Sequence, residues 1–248
     1  GAGCGALTRY LGENFAKVDA VEGSFLRARV AEKRCGDLSN VAVYAAPFRD
    51  LDVQPKYDLV TLVGVLEYAP LLEISGRSRA DACLSTLKLA SSGLRKDGIL
   101  LLAIENALGL KYWSGCSEDH TGRLFESIHG YPTQNSPITF SRKELRSLMC
   151  QAGFDHLAFY YPFPDYKLAK TIIHETDMSP DSLFLHNWIG SPFEDYSGKR
   201  NYSLHENLAI REICRANLLY EFANSFLILA SKSPRARIRS KWIARKLT

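Results

Sequence analysis

Residues 57–66, Tyr-Asp-Leu-Val-Thr-Leu-Val-Gly-Val-Leu, are almost continuously apolar. An unalternating run of that length fits a strand buried on both faces of a parallel sheet. Ile99–Ile104 is a second such run. Shorter β-like segments cover 16–21 and 41–44, and helical patterns cover 6–13, 24–35 and 78–92. Ser24 is placed to cap the second of these helices. Leu94-Arg95-Lys96-Asp97-Gly98 reads as a turn into the Ile99 strand. Strands alternating with helices imply an α/β domain around a parallel sheet.

The pattern changes after residue 104. Residues 105–139 are rich in Gly, His, Asn, Pro and aromatics and have no clear period. A connection that long inside a compact domain is usually functional. Ser141–Ala152 is an amphipathic helix with Ser141 and Glu144 as a capping box and Gly153 at its end. Phe154–Tyr161 reads as a strand, 162–202 as a second irregular aromatic insertion, 204–220 as helix and Ser225–Ala230 as a final strand. Residues 1–231 are expected to form one domain.

With 248 residues, 46% of them hydrophobic, the chain can bury a sizeable core. No apolar run reaches the roughly 18–20 residues of a membrane span. The six cysteines form no C-x-x-C pair, which suits reduced thiols in a cytoplasmic protein. Net charge is +4, yet 232–248 hold seven Lys or Arg and no acid, so the remainder carries −3. The body is therefore not a nucleic-acid surface. The tail 232–248 is a linker, a disordered end or a basic strip for the inner face of an anionic membrane.

The chain opens on Gly1-Ala2-Gly3-Cys4-Gly5, running directly into a helical pattern with Leu7, Tyr10 and Leu11. Glycines permit positive φ and close ligand approach, and a helix N-terminus offers unpaired N–H groups. This is the strand-to-helix bend of a nucleotide-type fold. The strand expected before it is missing from the sequence, so an N-terminally truncated product with unpaired inner sheet edges is expected. Glu22 ends the next strand, and a carboxylate has the paired acceptors that two ribose hydroxyls need. That acid also fits a dinucleotide site, although the glycine spacing is GxGxG and not GxGxxG.

Four pieces in order resemble the class I S-adenosylmethionine-dependent methyltransferases. They are the glycine bend, Val18–Ser24 with its terminal acid, Tyr57-Asp58-Leu59-Val60 with Gly64-Val65-Leu66-Glu67-Tyr68, and Leu94–Leu100. Glu105–Trp113, Glu118-Asp119-His120-Thr121-Gly122 and Tyr161–Lys167 further resemble methyltransferases of bacterial surface-polysaccharide (O-antigen type) biosynthesis, some of which are fused to glycosyltransferases. The resemblance implies a Rossmann-like class I sheet, mostly parallel with an antiparallel last strand. That sheet would lack its first strand and carry insertions after strand 5 and between the last two strands. It also implies S-adenosylmethionine as cofactor, a glycan or sugar hydroxyl as acceptor and a glycosyltransferase domain or partner. Ala45-Ala46-Pro47-Phe48 departs from the acid or Asn often found beside the adenine.

Under that reading Gly1, Gly3, Gly5, Glu22, Gly64 and Glu67 hold the cofactor. Glu105, Asn106, Tyr112, His129 and Tyr131 line the acceptor side. His120 is the expected general base, with Glu118 and Asp119 orienting it or raising its pKa. Asp119, His120 and His129 lack a diagnostic metal spacing, and no metal is expected. Each assignment has a structural counterpart: a plain tight bend, a solvated strand-end acid, a loop latch at Glu118–Gly122, or aromatics that pack loops. Two rival functions are an NAD-dependent sugar oxidoreductase and a non-catalytic methyltransferase-like scaffold.

Overall fold

The computed structural model describes residues 1–50, 54–72, 78–177, 185–189, 193, 195 and 200–234. Contacts group the chain into two compact units, Gly1–Gln54 and Pro55–Thr248. The basic tail beyond Pro234 lies outside the described residues, as does much of the second insertion.

The first unit contains α1 (Ala6–Asn14), β1 (Val18–Glu22), α2 (Phe25–Arg34) and β2 (Val41–Ala45). β1 and β2 pair in parallel, from Val18 opposite Val41 to Glu22 opposite Ala45. Ser24 caps α2, its hydroxyl accepting from the Arg27 N–H at 3.5 Å. Gly5 has φ 79°, and a Cβ there would lie 2.8 Å from the Ala31 Cα. The glycine therefore lets α1 start directly against the small-residue side of α2, where Ala28 and Ala31 are buried.

The second unit contains β3 (Tyr57–Val63), α3 (Arg79–Gly93), β4 (Leu94–Glu105), α4 (Leu110–Trp113) and α5 (Arg142–Gln151). It continues with β5 (His156–Phe163), β6 (Thr171–His174), α6 (Leu185–Ile189), α7 (Glu206–Arg215), α8 (Leu219–Phe222) and β7 (Ser225–Ser231). The sheet order is β3-β4-β7-β5-β6. β3 and β4 are parallel, while β7 is antiparallel to both its neighbours, β4 and β5. The last strand is antiparallel, as expected, and it lies between two earlier ones. Leu100, Leu102 and Ile104 of β4, Phe159 and Tyr161 of β5, and Phe226 and Ile228 of β7 form its core. Burying each such side chain is worth about 1.5–3 kcal/mol.

Three local expectations change. Leu94–Gly98 belongs to β4: Tyr57 pairs with Leu94 and Leu59 already pairs with Ile99, so 95–98 bulge outward between two paired stretches. The exposed charges of Arg95, Lys96 and Asp97 and the following glycine look like a turn for that reason. β6 lies within the second insertion and pairs antiparallel with β5, where Tyr160 faces His174; four residues are too short to show a period. The helix expected over 204–220 is two, because Asn217 adopts φ 55° between α7 and α8. Asn tolerates that left-handed conformation better than most residues. The capping box on α5 forms as expected, with Ser141 Oγ accepting from the Glu144 N–H and Glu144 accepting from the Ser141 N–H at 2.9 Å. All six cysteines are free thiols. Among the described residues no helix is long and apolar enough to cross a membrane.

Candidate active site

In the first unit the glycine bend faces the end of β1. The Gly3 N–H donates to Glu22 Oε2 at 2.7 Å, and the Ser24 N–H donates to Glu22 Oε1 at 3.0 Å. Arg27 reaches the same Oε1 at 3.2 Å. Gly1 and Ala2 both donate from their nitrogens to the Val21 carbonyl at 2.8 Å. Burial pushes the Glu22 pKa up, but the Ser24 and Gly3 N–H groups and the Arg27 charge outweigh it, so the carboxyl sits below its usual range. The three expected glycines separate by role. Gly3, at φ 57°, has no atom within 4 Å of a Cβ position, whereas Gly5 is a packing glycine and Gly1 pins the bend to β1.

In the second unit β3 and β4 end side by side, and chain reversal there collects acids. Gly64 continues the ladder, its N–H donating to the Ala103 carbonyl at 3.0 Å. It then turns at φ 63°, which ends the strand earlier than the apolar run suggests. A Cβ on Gly64 would lie 2.9 Å from the Tyr166 hydroxyl and 3.6 Å from Glu67 Oε1. Glu67 sits in the 3₁₀ turn Leu66–Leu72 and Glu105 closes β4; both are fully buried.

The first insertion delivers His120 between them. Its Nδ1 lies 2.7 Å from Glu118 Oε1, while its Nε2 lies 3.6 Å from Glu67 Oε1 and 3.8 Å from Glu105 Oε2. Glu118 is itself fixed. Its Oε2 accepts from the His120 and Thr121 N–H groups at 2.9 and 2.8 Å, and its Oε1 accepts from the Tyr131 hydroxyl at 3.2 Å. The structural reading of Glu118–Gly122 as a latch on its own backbone is therefore realised, and the latch aims the imidazole inward. Tyr68 packs edge-on against that ring at 5.3 Å.

Cations complete the cluster. Buried Lys111 lies 2.6 Å from Asp119 Oδ2 and 3.1 Å from Asp165 Oδ2. Lys167 joins Glu105 Oε1 and reaches Asp119 Oδ1 at 3.2 Å. The Tyr112 hydroxyl donates to Asp119 Oδ2 at 2.5 Å. Burial lowers the His120 pKa, but the hydrogen bond to Glu118 and the charges of Glu67 and Glu105 prevail and push it up to about 10. Burial raises the Asp119 pKa, yet Lys111 and Lys167 hold it far below the usual carboxylate range. Burial dominates at Glu105 and raises its pKa despite the nearby lysines.

His120 has a carboxylate toward each nitrogen, and these acids favour its protonated form, so the ring offers its Nε2 lone pair only where a proton acceptor or a cation competes for that position. Asn106 has its side-chain amide committed within the fold. Its amide donates to the Glu221 and Ala223 carbonyls at 2.7 and 2.8 Å and accepts from the Leu108 N–H, a tie between β4 and the start of β7. His129 is exposed and packs at 6.0 Å from Phe125, away from the cluster. Tyr112 is fully buried and supports Asp119. Lys111, Asp165 and Lys167 carry no assigned role in the sequence reading, and Tyr166 counts there only among the loop aromatics. Their signal was present: a Lys inside an apolar helical turn and an Asp-Tyr-Lys following Phe-Pro.

No family model and no curated protein sequence matches this chain. Solved structures do. A Thermotoga maritima S-adenosylmethionine-dependent methyltransferase is 19% identical, with TM-score 0.50, over 94% of this chain and 79% of its own. A chain of the complex between the Haloferax volcanii Trm112 methyltransferase activator and a methyltransferase is 15% identical, with TM-score 0.53 and the same two coverages. The Haemonchus contortus phosphoethanolamine N-methyltransferase 2, solved with S-adenosylhomocysteine, is 15% identical, with TM-score 0.52, over 94% of this chain and 47% of its own. Identities this low speak for architecture alone, and the chain has the α/β Rossmann-like fold of S-adenosylmethionine-dependent methyltransferases.

Proposed function

We propose that the protein is an S-adenosylmethionine-dependent methyltransferase that O-methylates a sugar hydroxyl of a bacterial surface glycan or its precursor. The observation that carries the reading is the buried carboxylate cluster where β3 and β4 end, in a sheet of this fold. Open α/β sheets bind ligands outside the carboxyl ends of their strands. The bend residues suit the cofactor. Gly3 leaves an open cradle, and Glu22 is aligned by backbone donors, with exposed Arg27 as a side-chain partner that ribose hydroxyls would displace. S-adenosylmethionine supplies an electrophilic methyl group on a sulfonium.

The chain's own residues must then place an oxygen and take its proton. Asp119 and Lys167, whose side chains are 20% and 47% exposed, are the polar groups an incoming polyol meets first. Exposed Tyr68 offers a ring face beside them. Glu67 Oε2 is buried without a hydrogen-bond partner and is the acceptor for the hydroxyl proton. A positioned base contributes about 10²–10⁴-fold. His120 and Glu118 act by holding that carboxylate array in place. A glycosyltransferase is the partner the polysaccharide resemblance suggests.

The test is transfer of a deuterated methyl group from labelled cofactor to nucleotide sugars and lipid-linked glycans, read by mass spectrometry. Label on a sugar oxygen is expected. Label only on amines, or none with cofactor bound, overturns the acceptor assignment. Glu22→Ala should weaken cofactor binding at least tenfold, as expected when hydrogen bonds worth about 1–3 kcal/mol are lost from a buried site. Nicotinamide dinucleotide binding in place of S-adenosylmethionine would establish the oxidoreductase instead.

A further inference from the structure

We infer that Glu67, Glu105 and His120 form a binding site for one divalent metal ion. One ligand atom from each of the three lies within 4.8 Å of the others. Two ligands that share an ion at about 2.1 Å stand roughly 3.0–3.4 Å apart in octahedral or tetrahedral geometry. The separations of 3.6 and 3.8 Å from His120 Nε2 to the two carboxylates are within a few tenths of an ångström of that range. They are too long for hydrogen bonds. Among the described residues, Glu105 Oε2 and Glu67 Oε2 are buried side-chain oxygens with no hydrogen-bond partner, and Glu105 Oε2 is the atom that faces the imidazole.

The imidazole is prepared as a ligand would be. Glu118 receives Nδ1–H at 2.7 Å, so when a cation displaces the Nε2 proton the ring is already held as the Nδ1–H tautomer with Nε2 toward Glu67 and Glu105. Metal-bound histidines almost always have their second nitrogen held this way. Charge points in the same direction. Among the described residues, five carboxylates, Glu67, Glu105, Glu118, Asp119 and Asp165, share the two ammonium groups of Lys111 and Lys167 and the imidazole of His120. Uncompensated buried charge is costly, and a divalent cation removes most of the excess. Oxygen donors with one imidazole suit Mn²⁺, Mg²⁺ or Zn²⁺ and not a thiolate-seeking ion.

The ion's part in catalysis rests on the methyl-transfer reading; its binding does not. Held through one oxygen of each carboxylate, the ion would polarise an acceptor hydroxyl and leave Glu67 Oε2 to take the hydroxyl proton.

The experiment titrates Mn²⁺ into the chelator-stripped full chain and follows it by electron paramagnetic resonance, with no cofactor present. One bound Mn²⁺ per chain with ¹⁴N coupling from an imidazole is expected. Affinity should fall at least tenfold in the Glu67→Gln/Glu105→Gln pair. Glu118→Gln should weaken binding about 10–100-fold through the loosened ring. Absence of saturable binding, absence of the nitrogen coupling, or undiminished affinity in the folded double variant overturns the site. Should the double variant not fold, the nitrogen coupling in the wild-type chain decides the matter alone. Methyl transfer without Mn²⁺ binding would remove the ion and keep the reaction, and the reverse result would do the opposite.

Discussion

Lys111 shows most directly how a single side chain holds this cluster together. It is fully buried and bonded to two carboxylates, Asp119 and Asp165. Removing one partner of a buried ion pair leaves the other charge stranded, at a cost of about 3–5 kcal/mol. Lys111→Met is therefore expected to lower unfolding free energy by that order in urea titrations. Adding Asp165→Asn should recover part of the loss, because it removes one of the stranded charges. A loss under 1 kcal/mol in Lys111→Met would contradict the buried pairing. Glu22 gives the pH counterpart. Its pKa is lower in the folded chain than in the unfolded one, so its stabilisation is fully present above about pH 4.5 and is lost as pH falls through the depressed value. Thermal melts between pH 3 and 6 should show a steeper acid decline for the wild type than for Glu22→Gln. Parallel curves would remove the Gly3 and Ser24 hydrogen bonds from the account.

Helices here begin where local chemistry dictates. Ser141 and Glu144 close both halves of a capping box on α5. Caps of this kind contribute about 0.5–2 kcal/mol. Ser141→Ala is expected to lower the melting temperature accordingly and to leave binding at the acidic cluster unchanged. An unaltered melt would mean that α5 is held by packing of Leu145, Leu148 and Met149 alone. These short-range features, together with the Ser24 cap and the two apolar strands, were legible in the sequence because each depends on neighbours within a few residues. β6 and the break at Asn217 were not legible. The first gains its partner from β5 across a reversal, and the second rests on one residue's tolerance of positive φ.

At the scale of the molecule, the fold class followed from alternation of buried strands with helices, and the insertion of β7 between β4 and β5 agrees with it. Glu118, Asp119 and His120 could be singled out because three ionisable residues stand together in an ordered loop. Their chemistry could not be assigned from order along the chain. It depends on Glu67 and Glu105 arriving from two different strand ends, and on Lys111 and Lys167 arriving from α4 and from beyond β5. Sequence by itself determined the architecture, the helix starts and the glycine bend, since those rest on periodicity, capping and backbone freedom. Only tertiary structure decided that His120 stands among three acids, and that the Asn106 amide ties β4 to the start of β7. Electrostatic energies depend on distance and burial between residues 15–62 positions apart, which no local pattern encodes.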